Sequence, residues 1–383
     1  MIVKVKSLFN ILLVFGTRPE AIKMAPLVHK LKGNPYFNTQ VCVTAQHREM
    51  LDSVLEIFDI RPEFDLNLMQ KGQNLVDLTS LMIKHLDQVY QSFKPDLVLV
   101  HGDTATTFSA SLVAFYNKIK IGHVEAGLRT GNIYSPWPEE ANRKLTGVLT
   151  NFHFAPTKDA QVNLLKEGFS KNHVFITGNT VIDALYLAKS KIENSPCLDK
   201  AYKNRFDFLD LEKKIILITG HRRENLDGGI ENICKAVKNL AVLYPEIQFV
   251  YPVHLNPKVQ DVVLNILSKQ NNVFLIEPLD YLPFVWLMKH CYLIITDSGG
   301  IQEEAPSLGI PVLVTRENTE RPEALAAGTI KLVGTNQEKI IKEVSMLIHN
   351  KEEYLKMSQA INPYGDGHAS EKIVQIIQES FLN

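Results

Sequence analysis

Short apolar runs rich in Val, Ile and Leu alternate along the chain with longer segments whose apolar positions recur at helical spacing. A first set of runs lies at 11–15, 41–44, 97–100, 119–124 and 174–177. A second lies at 215–219, 249–253, 273–276, 293–296 and 311–315. Helical patterns cover 21–31, 75–93, 105–116, 230–243, 258–268 and 301–308. Continuous apolar runs predict strands buried on both faces, and their alternation with helices predicts parallel sheets. Two successive sets predict two doubly wound α/β domains. The division is placed at Gly178-Asn179, with an N-terminal domain over 1–178 and a C-terminal domain over 179–367. A helical stretch at 181–188 is followed by a polar segment, 189–213, that opens the second half. The breaker cluster Asn362-Pro363-Tyr364-Gly365-Asp366-Gly367 precedes a last helix at 370–381, so residues 368–383 are expected to pack back on the first domain.

Composition narrows the function. A chain of 383 residues is long enough for two domains. With 41 Lys+Arg against 42 Asp+Glu the net charge is -1, so no overall field holds nucleic acid or an anionic membrane. Cys42, Cys197, Cys234 and Cys291 lie far apart, which suits reduced thiols in a cytoplasmic protein better than a disulfide framework or a metal site. Lys4 and Lys6 before the run at 11–15 imitate the start of a secretory leader. Asn10 and the absence of a small-residue cleavage site favour a buried first strand instead. No apolar stretch is long enough for a membrane-spanning helix.

Open α/β sheets bind ligands beyond the carboxyl ends of their strands, so polar residues just after strands carry the chemistry. The first strand runs into Gly16-Thr17-Arg18-Pro19-Glu20, a turn into a helix with a cation at the anion-favouring end. This suits phosphate, or a cap with Arg18 paired to a carboxylate. Asp103, Glu125, Glu139 and Glu140 fall after the strands at 97–100 and 119–124 and at the next helix start. Singly, each can be a helix cap or a first-turn acid; together they suggest general acid/base work. In the second half, His221-Arg222-Arg223 reads as a cationic cluster for phosphate or as a salt-bridged loop. His254 follows another strand, and suits structural hydrogen bonding or a site role. Asp297-Ser298-Gly299-Gly300 between strand and helix makes a backbone nest for phosphate, with Glu304 one turn on, able to reach a ribose or to face solvent. There is no Walker lysine, no dinucleotide fingerprint and no metal-ligand pair, so neither cofactor nor metal is expected.

Six segments in order resemble the bacterial non-hydrolysing UDP-N-acetylglucosamine 2-epimerase family. They are Phe15 to Pro26 (FGTRPEAIKMAP), His101-Gly102-Asp103, Gly122 to Thr130 (GHVEAGLRT), Ser135 to Arg143 (SPWPEEANR), His221 to Asn225 (HRREN) and Asp297 to Pro306 (DSGGIQEEAP). The resemblance implies two Rossmann-like domains facing across a cleft in the GT-B arrangement, and a homodimer. It implies reversible conversion of UDP-GlcNAc into UDP-ManNAc, by elimination of UDP to 2-acetamidoglucal and re-addition, supplying ManNAc units for surface polysaccharide. By the same resemblance Asp103, Glu125, Glu139 and His221 take catalytic positions. Arg18, Lys23, Arg143, His221, Ser298, Gly299, Gly300 and Glu304 take UDP positions. An activating second UDP-GlcNAc maps to Gln46, Gln73, Glu140, Arg222 and His254. Gly72 stands where some allosteric members carry Arg, Ala105 replaces a usual Thr and Gly220 a usual Ala. Alternatives are a C-2 epimerase of a related UDP-sugar, a hydrolysing epimerase, a UDP-sugar glycosyltransferase of the same fold and a non-enzymatic nucleotide-sugar binder.

Overall fold

In the computed structural model, which describes residues 8–45, 48–69, 72–220 and 222–382, the apolar runs of the first half become parallel strands. They are β1 (Phe9–Phe15), β2 (Phe37–Val43), β3 (Phe64–Asp65), β4 (Leu97–His101), β5 (Lys120–Val124), β6 (Phe152–Ala155) and β7 (Val174–Ile176). Their order across the sheet is β3-β2-β1-β4-β5-β6-β7. The helices between them are α1 (Arg18–Lys32), α2 (Arg48–Ile57), α3 (Leu75–Phe93), α4 (Ala105–Tyr116), α5 (Glu139–Leu149), α6 (Lys158–Lys166) and α7 (Thr180–Glu193). Ile11 to Phe15 are wholly buried, as the run at 11–15 required, because helices cover both faces of β1. On one face Leu12, Val14, Val98 and Val100 meet Met82, Leu86 and Tyr90 of α3.

The second half opens with α8 (Pro196–Arg205) and repeats the scheme. Its strands are β8 (Ile215–Thr219), β9 (Gln248–Pro252), β10 (Val273–Ile276), β11 (Leu293–Thr296), β12 (Val312–Val314) and β13 (Ile330–Leu332), in the parallel order β10-β9-β8-β11-β12-β13. Helices α9 (Gly229–Leu243), α10 (Pro257–Leu267), α11 (Tyr281–Lys289), α12 (Gly299–Glu304), α13 (Pro322–Ala327), α14 (Gln337–His349) and α15 (Lys351–Ser358) flank it. Both sheets are doubly wound in the Rossmann order, so each has a switch point where neighbouring strands send their helices to opposite faces. In the first sheet that point lies between β1 and β4, and in the second between β8 and β11.

The chain forms two compact units, Met1–Leu187 with Tyr364–Asn383, and Ala188–Pro363. The crossing placed at Gly178-Asn179 lies just before α7, whereas this partition falls inside that helix. The start of α7 is bound to the first unit through Asp183, which accepts the N–H groups of Ala369 (3.1 Å) and Ser370 (2.7 Å) at the head of α16 (Ala369–Leu382). α16 then packs on α1 in the first unit, with the Phe381 ring 4.1 Å from that of Phe9 and 5.7 Å from that of Phe152. The segment read as polar at 189–213 is largely helical, formed by the end of α7 and by α8. The reading at 301–308 is shared between α12 and a short 3-10 turn, since Pro306 interrupts the α-helix.

Candidate active site

At the switch point of the first sheet, β1 ends in Gly16-Thr17 and enters α1. Thr17 caps that helix, and the Glu20 carboxylate folds back to accept the N–H groups of Gly16 (3.1 Å) and Thr17 (2.8 Å). Glu20 also accepts the Thr104 hydroxyl at 2.7 Å and lies 3.3 Å from that of Thr107, which donates to the His101 carbonyl at 2.5 Å, so Glu20 joins the head of α1 to the head of α4. Burial pushes its carboxyl above the usual range. Arg18 is exposed at the first position of α1 and forms no ion pair among the described residues, so the paired-cap alternative is not what the structure holds.

Asp103 and Glu125 stand just past the adjacent strands β4 and β5, whose register pairs His101 with Val124. Thr104, rather than Asp103, caps α4. The Asp103 carboxylate is free of that duty and binds the Arg143 guanidinium, while Asn142 donates to the Asp103 carbonyl at 2.9 Å. Arg143 also reaches Glu140 at 3.1 Å. Glu140 is completely enclosed and accepts the N–H groups of Thr130 (3.1 Å) and Gly131 (3.2 Å). Glu139 begins α5 after the Ser135–Pro136 and Trp137–Pro138 cis bonds, and its buried Oε2 has no hydrogen-bond partner among the described residues.

Glu125 has φ 63, in the left-handed region that a residue with a side chain rarely occupies. Its Oε2 binds the Lys23 ammonium, accepts Asn179 Nδ2 at 2.8 Å and lies 3.8 Å from His101 Nε2. Both ring nitrogens of His101 lack a hydrogen-bond partner among the described residues. Burial drives the His101 imidazole down to about 4, against the opposing pull of Glu125. His123 Nε2 donates to the Gly102 carbonyl at 2.6 Å, and burial lowers its imidazole to about 3. A neutral ring therefore pins the turn that carries Asp103. The first unit thus gathers Asp103, Glu125, Glu139, Lys23 and Arg143 at one sheet edge.

The second unit builds a different kind of site. Thr219 and Thr296, at the ends of β8 and β11, share a hydrogen bond of 2.6 Å, and Thr296 Oγ1 accepts the Ser298 N–H at 2.9 Å. Ser298 precedes α12 without a side-chain cap bond, leaving Gly299 and Gly300 in its first turn. A Cβ on Gly299 would lie 3.6 Å from Arg321 Nη2 and 3.7 Å from Arg222 Nη2, so two guanidinium groups face Gly299. Arg321 is held by Glu303 and by the Thr319 hydroxyl. Glu304 is buried rather than solvent-facing, and accepts the Tyr281 hydroxyl at 2.7 Å. The buried Asp297 carboxylate accepts the Arg222 N–H (2.9 Å) and Asn225 Nδ2 (3.0 Å), which fixes the loop after β8. The salt-bridged character of that loop rests on Glu224, bound to Arg316 at 2.6 Å. This arrangement of N–H groups and guanidinium groups can hold a diphosphate.

His221 and Gln46 lie outside the described residues. Gln73 is half-buried beside α3 in the first unit, and His254 is exposed after β9, its Nδ1 accepting the Asn256 N–H at 3.1 Å. Sequence reasoning placed Glu20, Asn142, Asn179 and Asp297 within motifs or turns without giving them a role of their own, and passed over Tyr281 and Arg321. Arg321 carried a signal: Arg321-Pro322-Glu323-Ala324 repeats the Arg18-Pro19-Glu20-Ala21 pattern at another helix start. Among the described residues, no group of three His, Cys, Asp or Glu side chains is placed to hold a metal ion, and no helix is long and apolar enough to cross a membrane.

The sequence profile of the family described as UDP-N-acetylglucosamine 2-epimerase matches residues 29–378. A UDP-N-acetylglucosamine 2-epimerase of Yersinia pestis is 57% identical over 369 residues, 96% of this chain and 98% of that one. The crystal structure of UDP-GlcNAc 2-epimerase from Neisseria meningitidis bound to UDP-GlcNAc superposes with TM-score 0.89 at 54% identity, covering 97% of this chain and 100% of that one. A Methanocaldococcus jannaschii UDP-GlcNAc 2-epimerase in complex with UDP-GlcNAc and UDP gives 0.79 at 33%, with the same coverage. With the motifs spread over both units and the likeness running through nearly the whole length, this chain belongs to the UDP-N-acetylglucosamine 2-epimerase family.

Proposed function

We propose that this protein interconverts UDP-GlcNAc and UDP-ManNAc without hydrolysing them, feeding ManNAc units into surface polysaccharide. The observation that carries the reading is the set of carboxylates, Asp103, Glu125 and Glu139, at one sheet edge with Lys23 and Arg143 among them. C-2 of the sugar bears an amide nitrogen and no neighbouring carbonyl, so its hydrogen is not acidic. Removal of that proton is therefore coupled to departure of the leaving group. One carboxylate takes the C-2 proton, the C-1–oxygen bond breaks, its electron pair leaves with UDP, and 2-acetamidoglucal remains. UDP then adds back at C-1 while a proton is delivered to the other face of C-2. Charge on departing UDP calls for cations and N–H donors, the role we assign to Ser298, Gly299, Gly300 and Arg321, and to Arg18 and His221 as the family resemblance implies. Glu304, oriented by Tyr281, suits a ribose hydroxyl pair.

Incubation with UDP-GlcNAc alone, followed by separation of nucleotide sugars, is the direct test. UDP-ManNAc is the expected product; free ManNAc or no change would remove the reading. We further propose that the protein works in the cytoplasm as a homodimer, and that Gln46, Gln73, Glu140, Arg222 and His254 serve a second, activating UDP-GlcNAc. The forward rate should then be sigmoidal in UDP-GlcNAc, and UDP-ManNAc alone should turn over poorly until UDP-GlcNAc is added. Gly72 offers no side chain there, so the coupling should sit at the low end of about 1–3 kcal/mol. Hyperbolic kinetics with unassisted turnover of UDP-ManNAc would refute it.

A further inference from the structure

Asn179 is buried within the first unit, just before α7, and it touches Glu125. Both ends of its amide are engaged. Oδ1 accepts the Val181 N–H at 3.1 Å, which caps α7, and Nδ2 donates to Glu125 Oε2 at 2.8 Å. Its backbone N–H donates to the carbonyl of Tyr364, the first residue of the returning segment, at 2.7 Å. Beside it Gly178 has φ 90, and a Cβ there would meet the Tyr364 carbonyl oxygen at 3.3 Å and Gly365 Cα at 3.5 Å. The outgoing and returning segments therefore pass backbone against backbone, and the pair fixes where the Asn179 side chain starts. Glu125 itself sits in a backbone conformation that persists only where the surroundings over-determine it. Lys23 supplies charge on a flexible stem, whereas the planar amide of Asn179, tied at both ends, supplies direction.

We propose that Asn179 is a positioning residue for the reaction: it fixes the orientation of the Glu125 carboxylate and ties that orientation to the crossing of residues 178 and 365. The proposal rests on the reading of Glu125 as an acid/base group. Among the described residues, the charged and titratable groups facing Glu125 include Lys23 from α1, His101 from β4 and His123 from β5, and these three remain in each variant below.

Three variants of the full-length protein test it. Glu125→Gln should lose turnover. Asn179→Ser keeps an acceptor for the Val181 N–H but is too short to reach Glu125; kcat should fall about ten- to a hundredfold with KM changed less than about threefold. Asn179→Asp keeps the cap and sets a second carboxylate against Glu125. The acid limb of its kcat–pH profile should move about one unit to higher pH. An inactive Glu125→Gln beside an Asn179→Ser with wild-type kcat, or an Asn179→Asp with the wild-type pH profile, would overturn the positioning role alone. Near-wild-type turnover of Glu125→Gln would overturn the reading of Glu125, and this proposal with it.

Discussion

Replacing Asp103, Glu125 or Glu139 by its amide keeps the side-chain shape and removes the acid/base function we propose for it. Each change should lower turnover by about a hundredfold or more. UDP affinity by calorimetry should change little, because the glycine nest with Arg222 and Arg321 belongs to the second unit. Buried histidines give a second expectation. Burial holds His101 near 4, and His123 and His153 near 3, while unfolding returns each to about 6.5. Across that interval the unfolded chain binds more protons, so stability is whole above pH about 6.5 and is lost progressively toward pH 3. Thermal midpoints measured from pH 7.5 to 4.5 should fall on acidification. His123→Gln, which keeps a donor for the Gly102 carbonyl, should flatten the fall. At this scale the sequence marked the acids but not what holds them. Asp103, Glu125 and Glu139 follow strands or open a helix, a rule that can be applied to a string of letters. Asn179 meets Glu125 only because β5 and the chain beyond β7 end at the same sheet edge, 54 positions apart in sequence.

Among the elements, the runs at 215–219, 273–276 and 293–296 coincide with β8, β10 and β11; β8 and β11 lie inside the sheet and are buried almost throughout, whereas β10 is an edge strand with Val273 alone buried. β3, β6 and β13 escaped the reading: Phe64-Asp65 is two residues long, and Phe152-His153-Phe154-Ala155 and Ile330-Lys331-Leu332 are short and carry a polar residue in their midst. The link between α1 and α4 also lay beyond local pattern, although the Thr17–Glu20 capping box was there to be read. Glu20→Ala would leave the Gly16 and Thr17 N–H groups and the Thr104 hydroxyl without this acceptor. The expected cost is about 1–3 kcal/mol, seen as a lower urea midpoint at unchanged slope. An unaltered midpoint would mean that water replaces the carboxylate there.

For the molecule as a whole, elimination and re-addition have an isotopic signature. In deuterium oxide, product and recovered substrate should gain deuterium at C-2, and traces of UDP and 2-acetamidoglucal should escape. A product retaining all of its original C-2 hydrogen would exclude the proposed route. The return of α16 to α1 bears on how the protein is made. Synthesis runs from the amino end, so the first unit emerges early yet lacks its last helix until residues 188–363 have been translated, an interval on the order of ten seconds. Throughout that interval the surface that Phe381 and its helix will cover, around Phe9 and Phe152, is bare on the ribosome. The half of the protein that carries the carboxylates is begun first and closed last, so an interrupted chain leaves that half without its covering helix.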